Sequence, residues 1–135
     1  MKSSLSLVRV SACIGFAGLL VSAGLPLAMV GPGEWEIGKG ANGRGERACL
    51  PDPSLLMQWE HRAKRCTRTI LNSSLDSAEV HYSCAGGDFG TSRVQVLTPR
   101  SIKVSAQGIS GGLPFSHILH ARRIGNCPTA STAAR

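Results

Sequence analysis

The stretch from Cys66 to Cys127 limits what this chain can fold into more than any other part of it. Four short runs, 66–71, 79–84, 92–97 and 101–107, have period-two character and are separated by clusters of Pro, Gly and Ser. A fifth and less regular run, 115–123, leads into Cys127. In the clearest of them Val80, Tyr82 and Cys84 alternate with Glu79, His81 and Ser83. Successive side chains of a strand point to opposite faces, so such a run makes a strand with one apolar and one polar face. Glu34-Trp35-Glu36-Ile37 alternates in the same way, with Trp35 and Ile37 inward, and Ala48-Cys49-Leu50 supplies a short partner after a Gly-rich, charged loop. The expectation is a mainly β domain: an antiparallel curved sheet or partial barrel of about six to seven strands.

One helix interrupts the pattern. Pro51-Asp52-Pro53-Ser54 is a start signal, in which Asp52 caps free N–H groups and Pro53 fills a position that needs none. Leu55, Leu56, Trp59 and Ala63 follow at helical spacing while Glu60, Arg62 and Lys64 fall on the wet side, which predicts a helix over 53–64.

The N-terminus reads as an export signal. Lys2 and Arg9 are followed by an uncharged, mostly apolar run at 10–30, and Val21-Ser22-Ala23 offers a cleavage site of small residues. The run is also about as long as a membrane span, so an uncleaved anchor is the alternative; Gly15, Gly18, Gly24 and Pro26 dilute it and favour cleavage. The expected organisation is a signal peptide at 1–23, a linker at 24–31, a β domain at 32–127 and a disordered tail at 128–135, in the periplasm.

Removal of 1–23 takes away two of the 15 basic residues and none of the 8 acidic ones, leaving a net charge of +5. It also removes Cys13, so Cys49, Cys66, Cys84 and Cys127 remain of the five cysteines. An even set in a short exported chain implies two disulfides with three possible connectivities. The favoured pairs are Cys49–Cys66, clasping the helix to the sheet, and Cys84–Cys127. Cys66–Cys84, across a hairpin, is the competing choice.

These landmarks together resemble an exported bacterial family, domain-of-unknown-function family 3617. The resemblance rests on Pro32-Gly33-Glu34-Trp35-Glu36 after the signal, Cys49-Leu50 before a Pro-rich helix start, and Cys66 opening a hairpin. Cys84 followed by Gly86 and Gly87, and Arg123-Ile124-Gly125-Asn126-Cys127 near the end, complete it. The turn between Cys66 and Cys84 lacks a Gly, and the late strands lack the Met of many members. The resemblance implies an exported, disulfide-containing β-rich domain and carries no catalytic residues.

Several constellations spell chemistry without its context. Gly38-Lys39-Gly40-Ala41-Asn42-Gly43 has the spacing of a dinucleotide loop, but no helix pattern follows to point N–H groups at a pyrophosphate. His81-x-x-Cys84 and His117-x-x-His120 have zinc-site spacing, yet an offset of three on a strand sends the side chains to opposite faces. A nucleophilic cysteine needs a free thiolate, which pairing removes. No Gly-x-Ser-x-Gly elbow is present. Neither catalytic residue nor metal nor cofactor is expected.

The densest basic run holds Arg62, Lys64, Arg65 and Arg68. A solvated face is its plainest meaning, and weak contact with an anionic envelope lipid or polymer the functional one. Nucleic acid is not expected, since stacking aromatics are not interleaved with the run. The leading expectation is a non-enzymatic exported domain with a binding or structural role. The alternatives are a carrier of a small apolar ligand, its mouth lined by Trp35, Tyr82, Phe89 and Phe115, then a lysozyme inhibitor, for which a +5 charge has the wrong sign. Last comes a hydrolase, which needs His81, His117 and Asp88 in one cleft.

Overall fold

The computed structural model describes residues 26–40 and 44–129. The expected signal peptide and cleavage site lie outside them, as do 41–43 of the Gly-rich loop and 130–135 of the expected tail.

Among the described residues seven antiparallel strands make one unclosed sheet. In chain order they are β1 (Gly33–Gly38), β2 (Glu46–Leu50), β3 (Cys66–Ser73), β4 (Ser77–Cys84), β5 (Phe89–Thr98), β6 (Ser101–Ser110) and β7 (Leu113–Gly125). In space the order is β2-β1-β7-β6-β5-β4-β3. Strands β3 to β7 form a meander, and the N-terminal hairpin adds its first strand to the last strand of that meander. The β6–β7 connection is two glycines, Gly111 and Gly112, both at positive φ (59° and 81°), the conformation a two-residue hairpin demands.

One face of the sheet is covered and the other is not. Ala78, Val80, Tyr82 and Cys84 of β4, Val94 of β5, Ile102, Val104 and Ala106 of β6, and Leu119 and Ala121 of β7 are buried, while their sequence neighbours are not. The alternation predicted for these strands is the alternation observed. The cover is a helical segment of 3-10 type, Pro53–His61, which lies over β4, β5 and β6 and sends Leu56, Met57 and Trp59 into the core. Ser92, polar yet fully buried at the centre of β5, donates to the Met57 carbonyl at 2.5 Å, so the cover is hydrogen-bonded as well as packed.

The covering segment differs from the helix expected over 53–64. Asp52 caps it as read, its carboxylate accepting from the Ser54 N–H at 2.9 Å. It then kinks at Gln58 (φ −125°, ψ 36°) and ends at His61. The kink re-aims the later residues, so Gln58 and His61 are buried and Ala63 is exposed. The linker expected at 24–31 also departs from its reading. Pro26–Met29 forms a 3-10 turn against β5, and Leu27 and Val30 join the core because the covered face has apolar surface left to bury there.

The disulfides correct the favoured pairing. They are Cys49–Cys127 and Cys66–Cys84. Cys49 lies on β2 and Cys66 on β3, the two opposite edges of the sheet, separated by six strand spacings or on the order of 29 Å along it. No disulfide reaches that far. Cys66 and Cys84 are instead direct cross-strand partners. Cys49 is opposite Glu34, whose other neighbour is Gly125, so Cys127 reaches Cys49 past β1. Each edge strand is therefore tied inward by one bridge, at the two places where a sheet exposes unpaired backbone.

Candidate functional site

Two regions gather polar side chains, one under the cover and one on the open face. Under the cover, four consecutive cross-strand partners form a row: Tyr82 on β4, Gly90 on β5, Gly108 on β6 and Phe115 on β7. The glycines make room for the rings. A Cβ on Gly90 would sit 2.5 Å from the Tyr82 hydroxyl, and one on Gly108 would meet the Phe115 ring at 3.0 Å and the Phe89 carbonyl at 2.1 Å. His61, delivered by the end of the kinked segment, stands edge-on to both aromatics with centroids 5.5 Å away.

His61 Nδ1 is 3.2 Å from the Tyr82 hydroxyl, and its Nε2 is 3.6 Å from Asp88 Oδ2, beyond hydrogen-bond range. Asp88 takes a hydrogen bond from Lys64 and, at 2.9 Å, from the N–H of Gly111 in the β6–β7 turn. The Lys64 ammonium first, and the Gly111 N–H second, hold the Asp88 carboxyl below the usual carboxylate range. Burial pushes the Tyr82 hydroxyl up to about 12. Next to Phe115, burial lowers His117 against the opposing pull of Glu60, whose carboxylate is 3.7 Å from it.

His, Asp and Tyr lie in mutual reach, and all three are sealed from water. His61 is 2 % exposed, Asp88 4 % and Tyr82 0 %. The phenol is held protonated at neutral pH and the carboxylate is occupied by Lys64 and the turn. What the arrangement does is fasten three things together: the end of the cover, the β6–β7 turn and the strand row.

The hydrolase constellation named from sequence is not assembled. His81 lies on the open face, with Nδ1 3.4 Å from Thr91 Oγ1, while Asp88 is buried beside His61. His81 and Cys84 part to opposite faces and Cys84 is bridged, as the strand argument required. His117 and His120 part likewise along β7. Among the described residues no group of His, Cys, Asp and Glu gathers as a metal site. The expected ligand mouth is also taken apart: Trp35 and Tyr82 are fully buried, and Phe89 and Phe115 flank an open depression of about 350 Å³ at one end of the sheet. Alternation along β1 and β4 puts Trp35 and Tyr82 on the covered face, where they are packing residues.

The basic run is spent on the protein itself. Arg62 reaches both oxygens of Glu46 at 3.2 Å and stacks on the Trp59 ring at 4.3 Å. Lys64 pairs with Asp88, and Arg68 donates to the Ser54 carbonyl at 2.9 Å. Among the described residues the exposed Arg65 side chain alone of the four makes no hydrogen bond or ion pair. Clustering in sequence spread these charges over a turn and a strand, so they do not form one free patch.

Charge outside any ion pair also stands on the open face, at residues that no sequence motif marks. Arg93 of β5 lines three adjoining depressions, of about 330, 250 and 250 Å³. Lys103 of β6, Ser105, Gln95 and Ser77 share one of them with it, and Glu79, Thr91 and Gln107 share another. Arg93 is opposite Ser105 and Lys103 is opposite Gln95, so the two cations are diagonal neighbours on adjacent strands. Among the described residues neither makes an ion pair. The period-two reading held the signal: it places Arg93, Gln95, Lys103 and Ser105 on one face, but only strand order makes β5 and β6 adjacent.

No protein-family model, no curated protein and no solved structure matches the chain. The class of protein is therefore set by the fold alone: a small, mainly β domain with one sheet, one covering helical segment and two disulfides. The bridges suit an oxidising, exported environment, and among the described residues no helix is long and apolar enough to cross a membrane.

Proposed function

We propose that this chain is an exported, non-enzymatic binding domain that works through the open face of its sheet, in the periplasm or at the cell envelope. One observation carries the reading: the covered face is filled by its own chain, while the open face holds hydroxyl-lined depressions centred on Arg93 and Lys103. An antiparallel sheet needs only one buried face, so side chains on the other are available for contacts outside the molecule. The export motif at 1–23, the two bridges and the resemblance to family 3617 support the compartment.

The test is site-specific photo-crosslinking in cells that export the protein. A photoreactive residue at Ser105, on the open face, is expected to give an adduct, and one at the exposed Arg65 is not. Equal labelling at both positions, or labelling at Arg65 alone, would refute the reading.

Carriage of a small apolar ligand is the second reading, favoured by the depression that Phe89, Phe115, Ile109 and Pro114 border. Lipid retained by the purified protein, and lost on Phe89→Ser, would support it; protein free of lipid would remove it.

A further inference from the structure

Resting on that reading, we propose that the ligand of the open face is a linear anionic polysaccharide, its acidic groups held by Arg93 and Lys103. Three features of the face select this chemistry. First, the charge is unspent. Arg62, Lys64 and Arg122 each form an ion pair with a carboxylate of the chain, whereas among the described residues Arg93 and Lys103, on adjacent strands, form none, although Glu79 is the cross-strand neighbour of Arg93. Arginine's planar fork matches a carboxylate in two parallel hydrogen bonds, and an ammonium beside it binds as a point charge.

Second, the remainder of the lining suits sugar hydroxyls. Ser77, Gln95 and Ser105 surround the two cations, and Thr91, Gln107 and Ser116 continue the lining toward β7. These groups donate and accept in any orientation, as a polyhydroxyl chain requires. Glu79 also borders the face, directly opposite Arg93 in the strand register. It repels acidic groups on that side, and so directs the ligand toward β6.

Third, the shape favours a chain over a sheet of lipid. The depressions adjoin one another across β4 to β7, and the side chains lining the one that holds both cations are all polar or charged. A membrane-binding surface needs apolar groups to insert; exposed Ile118 and Phe89 border neighbouring depressions, but the depression that holds both cations has no apolar side chain in its lining, and Leu75 and Leu97 lie at or near turns. A further depression, of about 370 Å³, lies beyond Ser101, two residues along β6 from Lys103; Arg122 there is paired with Glu36, and among the described residues Arg100 and Arg123 are its cations outside any ion pair. Two residues of strand span roughly 7 Å, a spacing that lets a repeating chain place a second acidic group there.

The experiment titrates the mature, oxidised protein with a decameric oligogalacturonate, with neutral dextran of equal length, and with phosphatidylglycerol vesicles, at low and at high salt. The expected result is binding to the oligogalacturonate alone, weakened by salt. Arg93→Gln with Lys103→Gln is expected to weaken it at least tenfold at an unchanged melting temperature, and Arg65→Gln to leave it unaltered. Should the double variant fail to fold, amide shifts of the unaltered protein decide, because the proposal requires them to gather on β5 and β6. Equal binding to dextran, binding to vesicles only, no binding, or loss on Arg65→Gln but not on the double variant would each overturn it. An adduct at Ser105 without oligogalacturonate binding leaves the open face as the binding surface and removes the ligand class; no adduct at Ser105 removes both.

Discussion

The two faces of this sheet come from the same strands and differ in almost every physical respect. On the covered face Trp35, Leu56, Val94, Ile102 and Val104 are sealed from water, and even the polar Ser92 and His61 are engaged by the chain's own groups. On the open face Arg93, Gln95, Lys103 and Ser105 alternate with those core residues one position away along the chain, and among the described residues the two cations have no ionic partner. A single residue step exchanges the environments, because the pleat alternates. The difference teaches where evolution of a contact is cheap: the covered face can change only at the cost of stability, the open face almost freely. It also separates the two polar clusters. His61 with Asp88 and Tyr82 belongs to the face that holds the fold, and Arg93 with Lys103 to the face that is left over.

The comparison can be pressed hardest through the bridges. Cys49–Cys127 spans 78 residues and Cys66–Cys84 spans 18. Chain-entropy arguments assign the longer loop about 4.5 kcal/mol and the shorter about 3 kcal/mol. Replacing both cysteines of a pair by serine, followed by urea unfolding, is expected to show this order. Equal losses would mean that the bridges act locally on their strands. Next in size is Trp35→Ala, which opens the centre of the covered face and is expected to lower unfolding free energy by about 3–5 kcal/mol in the same assay.

Gly90→Ala tests the row beneath His61. Its methyl would press on the Tyr82 hydroxyl, so a loss of about 1–3 kcal/mol is expected, with reduced protection of the β4 and β5 amides to hydrogen exchange. Acid tests the same region without a substitution. His117 and Asp88 both titrate below their ordinary values of 6.5 and 3.8 when folded, so the unfolded chain takes up each proton first. Their stability contributions are whole above those values and are lost as pH falls through the lowered ones. A fall in the urea midpoint is expected first below pH 6.5 and again below pH 3.8. His117→Gln is expected to flatten the upper step, and Asp88→Asn the lower.

Much of the covered face was legible in the sequence. Alternation in Val80–Tyr82–Cys84 and Ile102–Val104–Ala106 names the buried set without any structure, and Asp52-Pro53 marks the start of the cover. What escaped was everything set by spatial order. The bridges follow from β2 and β3 being the opposite edges, which no local pattern contains. His61 comes to 3.6 Å from Asp88 at the end of a segment that kinks at Gln58, and that pair has no telling spacing in the sequence. The basic run at 62–68 was conspicuous because it is contiguous, yet contiguity says nothing of partners; Glu46, Asp88 and the Ser54 carbonyl take three of its four charges. Arg93 and Lys103, ten residues apart, become a pair only across a hairpin.

The smallest expected effect is also the most direct test of the division between faces. Glu79→Gln, Arg93→Gln and Lys103→Gln combined in one chain alter the centre of the open face and no buried side chain. Urea unfolding of that triple variant is predicted to stay within about 1 kcal/mol of the unaltered protein, as separate surface substitutions do. A loss of about 3 kcal/mol or more would contradict the account, by showing that the open face holds the fold together instead of being left for a ligand.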